Sequence, residues 1–250
     1  MGLTAGGLSV SLRGRRILHG INATFAPGRV TVVLGANGAG KSTLLRAAAA
    51  LVPCAAGSVT IDGRDVAALS PRERACTIGY LPQDSVVHWN MRVRDLVALG
   101  RLPHGDGDAG AVARALEATR TADLGERAVR DLSGGERARV LLARVLAGAP
   151  HWLLADEPLA SLDPLHQLET LALLRAAAAG GMGVVVVLHD LTQAAAVADD
   201  VLLLKDGAVL AHGPTDVVMT AEHLAQAYGV AVEVLDRADG RRVIVATNTL

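Results

Sequence analysis

Apolar and polar residues alternate along 8–12 and again along 21–25, with the polar stretch 13–16 between them. That pattern predicts two short antiparallel strands. The run Val30, Thr31, Val32, Val33, Leu34 is almost wholly apolar, as expected of a strand buried on both faces. It enters a glycine-rich turn and then an alanine- and leucine-rich helix from Lys41 to about Leu51, stopped near Pro53. Residues 58–61 with Asp62-Gly63 predict a strand running into a tight turn, and 78–81 a short strand closed by Pro82. Over about 84–131 the β-branched runs give way to helical spacing, broken by a polar, glycine-containing loop at 105–110, so an inserted helical lobe is expected. Beyond it, a helix over 135–149, a strand over 152–155, a helix over 165–179 and a strand over 184–188 restore β/α alternation. This predicts an α/β fold whose parallel sheet has helices on its faces. A strand over 201–204 with a hairpin at Asp206-Gly207, a short helix and a last hairpin turning at Asp239-Gly240 complete the order.

Composition narrows the class. With 51% hydrophobic and 20% charged residues in 250 positions, a disordered tail, a collagen-like fibre and a disulfide-stapled mini-protein are excluded. The 24 basic and 25 acidic side chains leave a net charge of −1, and the only aromatic residues are Phe25, Tyr80, Trp89, Trp152 and Tyr228. Neither backbone neutralisation nor base stacking is well supplied, so no nucleic-acid partner is expected. Cys54 and Cys76 stand in no metal-ligand spacing and are expected to be reduced, buried thiols. The first residues lack the order of a secretion signal, and the densest apolar run, near Val184, has the length of a strand. A soluble, cytoplasmic chain is expected.

The turn after the buried strand reads Gly35, Ala36, Asn37, Gly38, Ala39, Gly40, Lys41, Ser42, Thr43, which satisfies the P-loop pattern between a strand and a helix. Glycines let successive backbone N–H groups curl around a phosphate, and the helix dipole adds favourable potential. Lys41 can reach the outer phosphates and Ser42 can ligate magnesium. Lys41 is one of only two lysines in the chain, so the match carries weight against an ordinary glycine turn. Nucleoside triphosphate binding follows. At the end of the apolar run that starts at Trp152, the adjacent carboxylates of Asp156 and Glu157 arrive at the edge of the sheet where ligands sit. Alone they would read as a solvated acidic turn. Behind a P-loop, Asp156 is expected in the Mg2+ shell, and Glu157 is expected to orient or deprotonate the attacking water.

Between these motifs, Leu132-Ser133-Gly134-Gly135-Glu136-Arg137 opens a helix and reads as a second anion site or a simple helix cap. The hexapeptide resembles the signature of the ATP-binding cassette family. In that family's order stand also Gln83 after Leu81-Pro82, similar to the Q-loop, and Ala160-Ser161-Leu162-Asp163, similar to the D-loop. His189 after the valine-rich strand looks like the switch histidine. The resemblance runs from about Leu8 to Val234. It implies a RecA-like P-loop NTPase core with a parallel sheet, an N-terminal antiparallel β subdomain and a helical subdomain over 84–131, all within one ATPase domain spanning 1–250. It also implies a head-to-tail dimer of two copies, each ATP lying between the P-loop of one and Ser133, Gly134 and Gly135 of the other. Gln83 would contact Mg2+ and relay nucleotide state to the lobe, His189 would bond the γ-phosphate, and Asp163 would order the dimer seam.

Two features refine the resemblance. The family places an aromatic upstream of the P-loop to stack on adenine, and Leu12 stands there in this chain. Arg13, Arg15 or Arg16 could stack on the base instead, or Leu12 could pack against it, so weaker base discrimination is expected. The stretch 93–104, with Leu99-Gly100-Arg101-Leu102-Pro103-His104, looks like a pattern of ATPases serving iron-siderophore, haem and cobalamin importers, and Tyr228-Gly229-Val230 resembles the same group. The implied role is an ATP-hydrolysing subunit of a bacterial importer. Integral membrane permease subunits would hold it on the cytoplasmic side of the inner membrane, and a substrate-binding protein would serve it indirectly. Val97, Leu99, Arg94 and Arg101 are expected to offer the permease mixed anchors, with Trp89 near the same surface or in the core. Other readings are the ATPase of another importer or exporter, a soluble non-transport cassette protein, and a small-molecule P-loop kinase, which would not need Ser133-Gly134-Gly135. A degenerate cassette without turnover is disfavoured by the intact Glu157 and His189.

Overall fold

The computed structural model describes residues 2–83, 91–236 and 242–249. Strands β1 (Leu3–Leu12) and β2 (Arg15–Phe25) pair antiparallel around Arg13-Gly14, both longer than their alternating stretches. β3 (Val30–Leu34) leads through the glycine turn to α1 (Lys41–Ala48), and β4 (Ala56–Ile61) turns at Asp62-Gly63 into the short β5 (Arg64–Asp65). Next comes α2 (Pro71–Thr77), which has no counterpart in the expected order. It buries no side chain, and what starts it is the capping box of Ser70 and Glu73 with Pro71 in the first turn. Apolar spacing could not reveal it.

β6 (Ile78–Leu81) is followed by α3 (Val93–Ala98), α4 (Ala109–Ala118) and α5 (Gly134–Ala147). Among the described residues between β6 and α5, the regular elements are helical. Asp84, Trp89 and the Asp239-Gly240 turn lie outside the described residues. Strict alternation then resumes with β7 (Trp152–Asp156), α6 (Pro164–Ala179), β8 (Gly183–Val187), α7 (Leu191–Val197) and β9 (Asp200–Lys205). β10 (Ala208–Pro214), α8 (Thr215–Val218), α9 (Ala221–Tyr228), β11 (Val230–Asp236) and β12 (Arg242–Thr249) complete the chain.

The central sheet runs β10-β9-β3-β8-β7-β6, and every neighbouring pair except β9–β10 is parallel. Its inner strands feed two cores. Val32, Leu34, Leu153, Ala155, Val184, Val186, Val201 and Leu203 face the core shared with α6, α7 and the helical lobe. Val33, Leu154, Val185, Val187, Leu202 and Leu204 face a second core shared with α1 and the β2-β1-β4-β5 sheet. Side chains alternate with period two, yet both faces are covered, which is why the sequence shows unbroken apolar runs. Each buried Val or Leu contributes about 1.5–3 kcal/mol. The sheet is therefore a rigid plate whose strand ends can hold loops in register.

Two expectations fail here. Both cysteines are free, but Cys54 is exposed and Cys76 half-buried, because Cys54 falls on the exposed part of the loop after α1 and Cys76 on α2, which buries no side chain. Val97 and Arg101 are buried, so they do not stand at the surface as permease anchors. Leu99 packs on the core, and Arg94, though exposed, is paired with Glu126. The stretch 99–106 instead joins the lobe to the end of α5. A Cβ at Gly100 would stand 2.1 Å from the Arg144 carbonyl oxygen, so turn and helix touch backbone to backbone. Arg101 Nη1 donates to the Ala147 carbonyl at 3.1 Å and Nε to Asp106 at 3.0 Å, while His104 Nε2 donates to the Gly148 carbonyl at 2.8 Å. Carbonyls at a helix C-terminus lack intrahelical partners, and basic side chains satisfy them. Arg72 of α2 donates to the carbonyls of Pro103 (2.6 Å) and His104 (2.8 Å), so the core also grips this joint.

Candidate active site

β3 ends at the sheet edge, and the chain curls from Gly35 to Gly40 onto α1. Gly35 has φ 144° and a Cβ there would lie 2.3 Å from the Leu204 carbonyl oxygen; Gly40 has φ 99° and would meet Leu18 at 2.6 Å. Only glycine fits either position. Lys41 is 6% exposed, and its Nζ donates to the carbonyls of Gly35 (2.8 Å) and Ala36 (3.0 Å). Burial lowers the ammonium pKa, against the pull of Glu157 and Asp156.

Behind the P-loop, Ser42 Oγ donates to Asp156 Oδ1 at 3.0 Å. Asp156 closes β7 fully buried, and burial raises its pKa while the Ser42 hydrogen bond opposes the shift. Among the described residues, its Oδ2 has no hydrogen-bond partner. A buried carboxylate oxygen left without a donor is costly. Beside a serine hydroxyl it supplies the oxygen donors a hard divalent cation takes, so these residues fit Mg2+.

Glu157 sits at φ 53°, a left-handed conformation that costs a non-glycine residue about 1–3 kcal/mol. Its Oε2 accepts Gln83 Nε2 at 2.7 Å, and its Oε1 lies 2.5 Å from His189 Nε2. One carboxylate thus ties together the ends of the adjacent strands β6, β7 and β8.

These groups open onto a cleft of about 1020 Å³. Asn37, Gly38 and Gly40 to Thr43 form its floor, with Gln83, Glu157 and His189 at one end. The other wall is Arg15, Arg16, Ile17 and His19 of β2 with Asp206 and Gly207 of the β9–β10 turn. Leu12 and Arg13 are not in this lining, and Leu12 packs on the second core. Of the residues expected to meet a base, the structure leaves Arg15 and Arg16. Sequence reasoning found Asp206-Gly207 only as a turn. Gly207 N donates to the Ala39 carbonyl at 3.2 Å and Gly207 O accepts His19 N at 2.8 Å, so this turn joins the P-loop to β2.

Ser133 caps α5, its Oγ accepting Glu136 N at 3.2 Å while Glu136 Oε2 accepts Ser133 N at 2.7 Å. Asp163 caps α6, accepting His166 N at 3.0 Å. The structure gathers the P-loop, Gln83, Asp156, Glu157 and His189 at one place. Ser133, Gly134, Gly135 and Asp163 do not line the cleft.

A P-loop, two adjacent carboxylates and a converging Gln and His at parallel strand ends define a nucleoside triphosphatase. The profile of the ABC transporter family matches residues 18–160, and the chain belongs to that family as an ATP-hydrolysing cassette. It is 43% identical over 244 residues to the hemin import ATP-binding protein HmuV of Rhizobium meliloti, covering 93% of each chain. To the protein of the same name from Streptomyces coelicolor it is 46% identical over 235 residues, covering 92% of this chain and 84% of that one. Its structure resembles a chain of an inward-facing metal-chelate-type ABC transporter, with a TM-score of 0.84 and 26% identity over 98% of this chain and 97% of that one. Among the described residues, no helix is long and apolar enough to cross a membrane.

Proposed function

We propose that the chain is the ATP-hydrolysing subunit of a haem importer. Two copies, each a single ATPase domain over 1–250 with its helical subdomain over 84–131, close head to tail around ATP. Integral permease subunits hold them at the cytoplasmic face of the inner membrane, supplied by a substrate-binding protein. The haem assignment rests on the names of the relatives. The observation that carries the dimer is the split site. Gln83, Glu157, His189 and the P-loop line one cleft, while Ser133 to Gly135, at a helix N-terminus suited to an anion, lie outside that lining, with Gly134 beside Gln83 and Glu157 only in an adjoining pocket. A second copy would bring that terminus to the γ-phosphate.

Within each site, the backbone N–H groups of Asn37, Gly38 and Gly40 to Thr43, which line the cleft, cradle the phosphates, and Lys41 exchanges the carbonyls of Gly35 and Ala36 for phosphate oxygens. Ser42, Asp156 and Gln83 would hold Mg2+, which when bound neutralises charge on the phosphates. Glu157 takes the proton of the attacking water, and Gln83 and His189, one on each oxygen, keep its carboxylate from turning away. His189 bonds the γ-phosphate and Asp163 orders the seam, so that ATP and ADP stabilise different dimer states. Transport into vesicles carrying the chain with its permease subunits tests the cargo. ATP-driven haem accumulation is expected; uptake of a ferric siderophore or cobalamin without haem would overturn the cargo and leave the ATPase standing.

A further inference from the structure

Tyr228 ends α9, and the ATP reading gives it no part. Its hydroxyl oxygen accepts the backbone N–H of Gly35 at 3.0 Å. Gly35 is buried and opens the P-loop, and its carbonyl in turn accepts Lys41 Nζ at 2.8 Å. One residue therefore links the phenol to the phosphate-binding lysine. With φ 144° and the Leu204 carbonyl where a Cβ would go, Gly35 has no side chain of its own to fix it, so the hold comes from outside the loop. Tyr228 is itself fixed. α9 buries Leu224 and Ala227, and its left-handed cap Gly229 (φ 71°) donates to the Ala225 carbonyl at 2.8 Å. The following hairpin reaches the other end of the site, where Ile244 N donates to Thr192 Oγ1 at 3.1 Å on α7, just after His189.

We propose that Tyr228 is a positioning residue for nucleotide binding, pinning the first peptide of the P-loop so that its amides and Lys41 stand ready for phosphates. This rests on the ATP-site reading above. A phenylalanine keeps the ring and its packing and removes only the acceptor, leaving a buried N–H without it.

The test is Tyr228→Phe in the full chain, assayed for ATP and ADP binding and, with the permease subunits, for turnover across ATP concentrations. KM for ATP and both dissociation constants should rise about fivefold, the worth of one hydrogen bond to a buried donor. The value of kcat at saturating ATP should stay within about twofold, because Glu157, Gln83 and His189 are untouched. A merely structural phenol would lower the melting temperature and leave KM as in the wild type. That result, or a fall in kcat at constant KM, overturns the proposal. Should the variant fail to fold, hydrogen exchange on the wild-type chain decides: a slowly exchanging Gly35 amide supports the pin, and a fast one overturns it. Failure of the ATP reading would show separately, as a wild-type chain that neither binds nor hydrolyses ATP.

Discussion

Glu157 is held in a backbone conformation that glutamate avoids, with each carboxylate oxygen engaged by a different strand end. The sequence singles out Glu157, like the P-loop and Asp156, because the motif is contiguous and carries its own chemistry. Its strain is not legible there, since φ at a single position depends on what surrounds it. The base side of the cleft divides in the same way. The sequence exposes a missing aromatic at Leu12, but only the fold decides that Arg15 and Arg16 line the cleft and Leu12 does not. A guanidinium plane stacks on any purine and reads no exocyclic group by itself. ATP and GTP should therefore turn over with kcat/KM values within about tenfold of each other. A steep preference for ATP in side-by-side kinetics would count against stacking by arginine. Tyr228 was legible as part of a pattern and illegible as a contact, because its partner Gly35 lies 193 positions away.

At the scale of elements, β/α alternation and the helical lobe could be read from periodicity, which reports the face an element buries. α2 buries none and stayed hidden. Arg94, Val97, Leu99 and Arg101 show the converse error, since apolar and basic residues on one short segment looked like an exposed anchor, whereas Val97 and Arg101 are buried and Arg101 ties the segment to the end of α5. Gly100→Ala forces a methyl against the Arg144 carbonyl and should destabilise the fold by about 1–3 kcal/mol in urea melts. The Asp106 carboxyl, beside the Arg101 guanidinium, is held at about 2 against its ordinary 3.8. Its folded value is depressed, so the pair's contribution is present above about pH 3.8 and fades as pH falls towards 2. Asp106→Asn should flatten the rise of stability with pH across that window. An unchanged slope in acid melts would show that the pair does not hold the joint.

Across the whole molecule, the two cores fix the strand ends on one plate, and the site is assembled where β3, β6, β7 and β8 all finish. The sheet order β10-β9-β3-β8-β7-β6 was not readable from the chain, because alternation predicts parallel pairing without saying which strand lies beside which. Nor could spacing alone tell that Ser133 to Gly135 are not in the lining of the cleft their chemistry suits. Under the proposed function, that separation makes each chain a half-site that a second copy would complete and whose closure a membrane partner would sense. The most direct test is phosphate release by the wild-type chain and by Glu157→Gln, each with and without the permease subunits. Removing the base while keeping the shape should leave ATP binding intact and reduce turnover by at least about a hundredfold. Wild-type release should also change when the permease subunits are present. Undiminished phosphate release by Glu157→Gln would contradict the account.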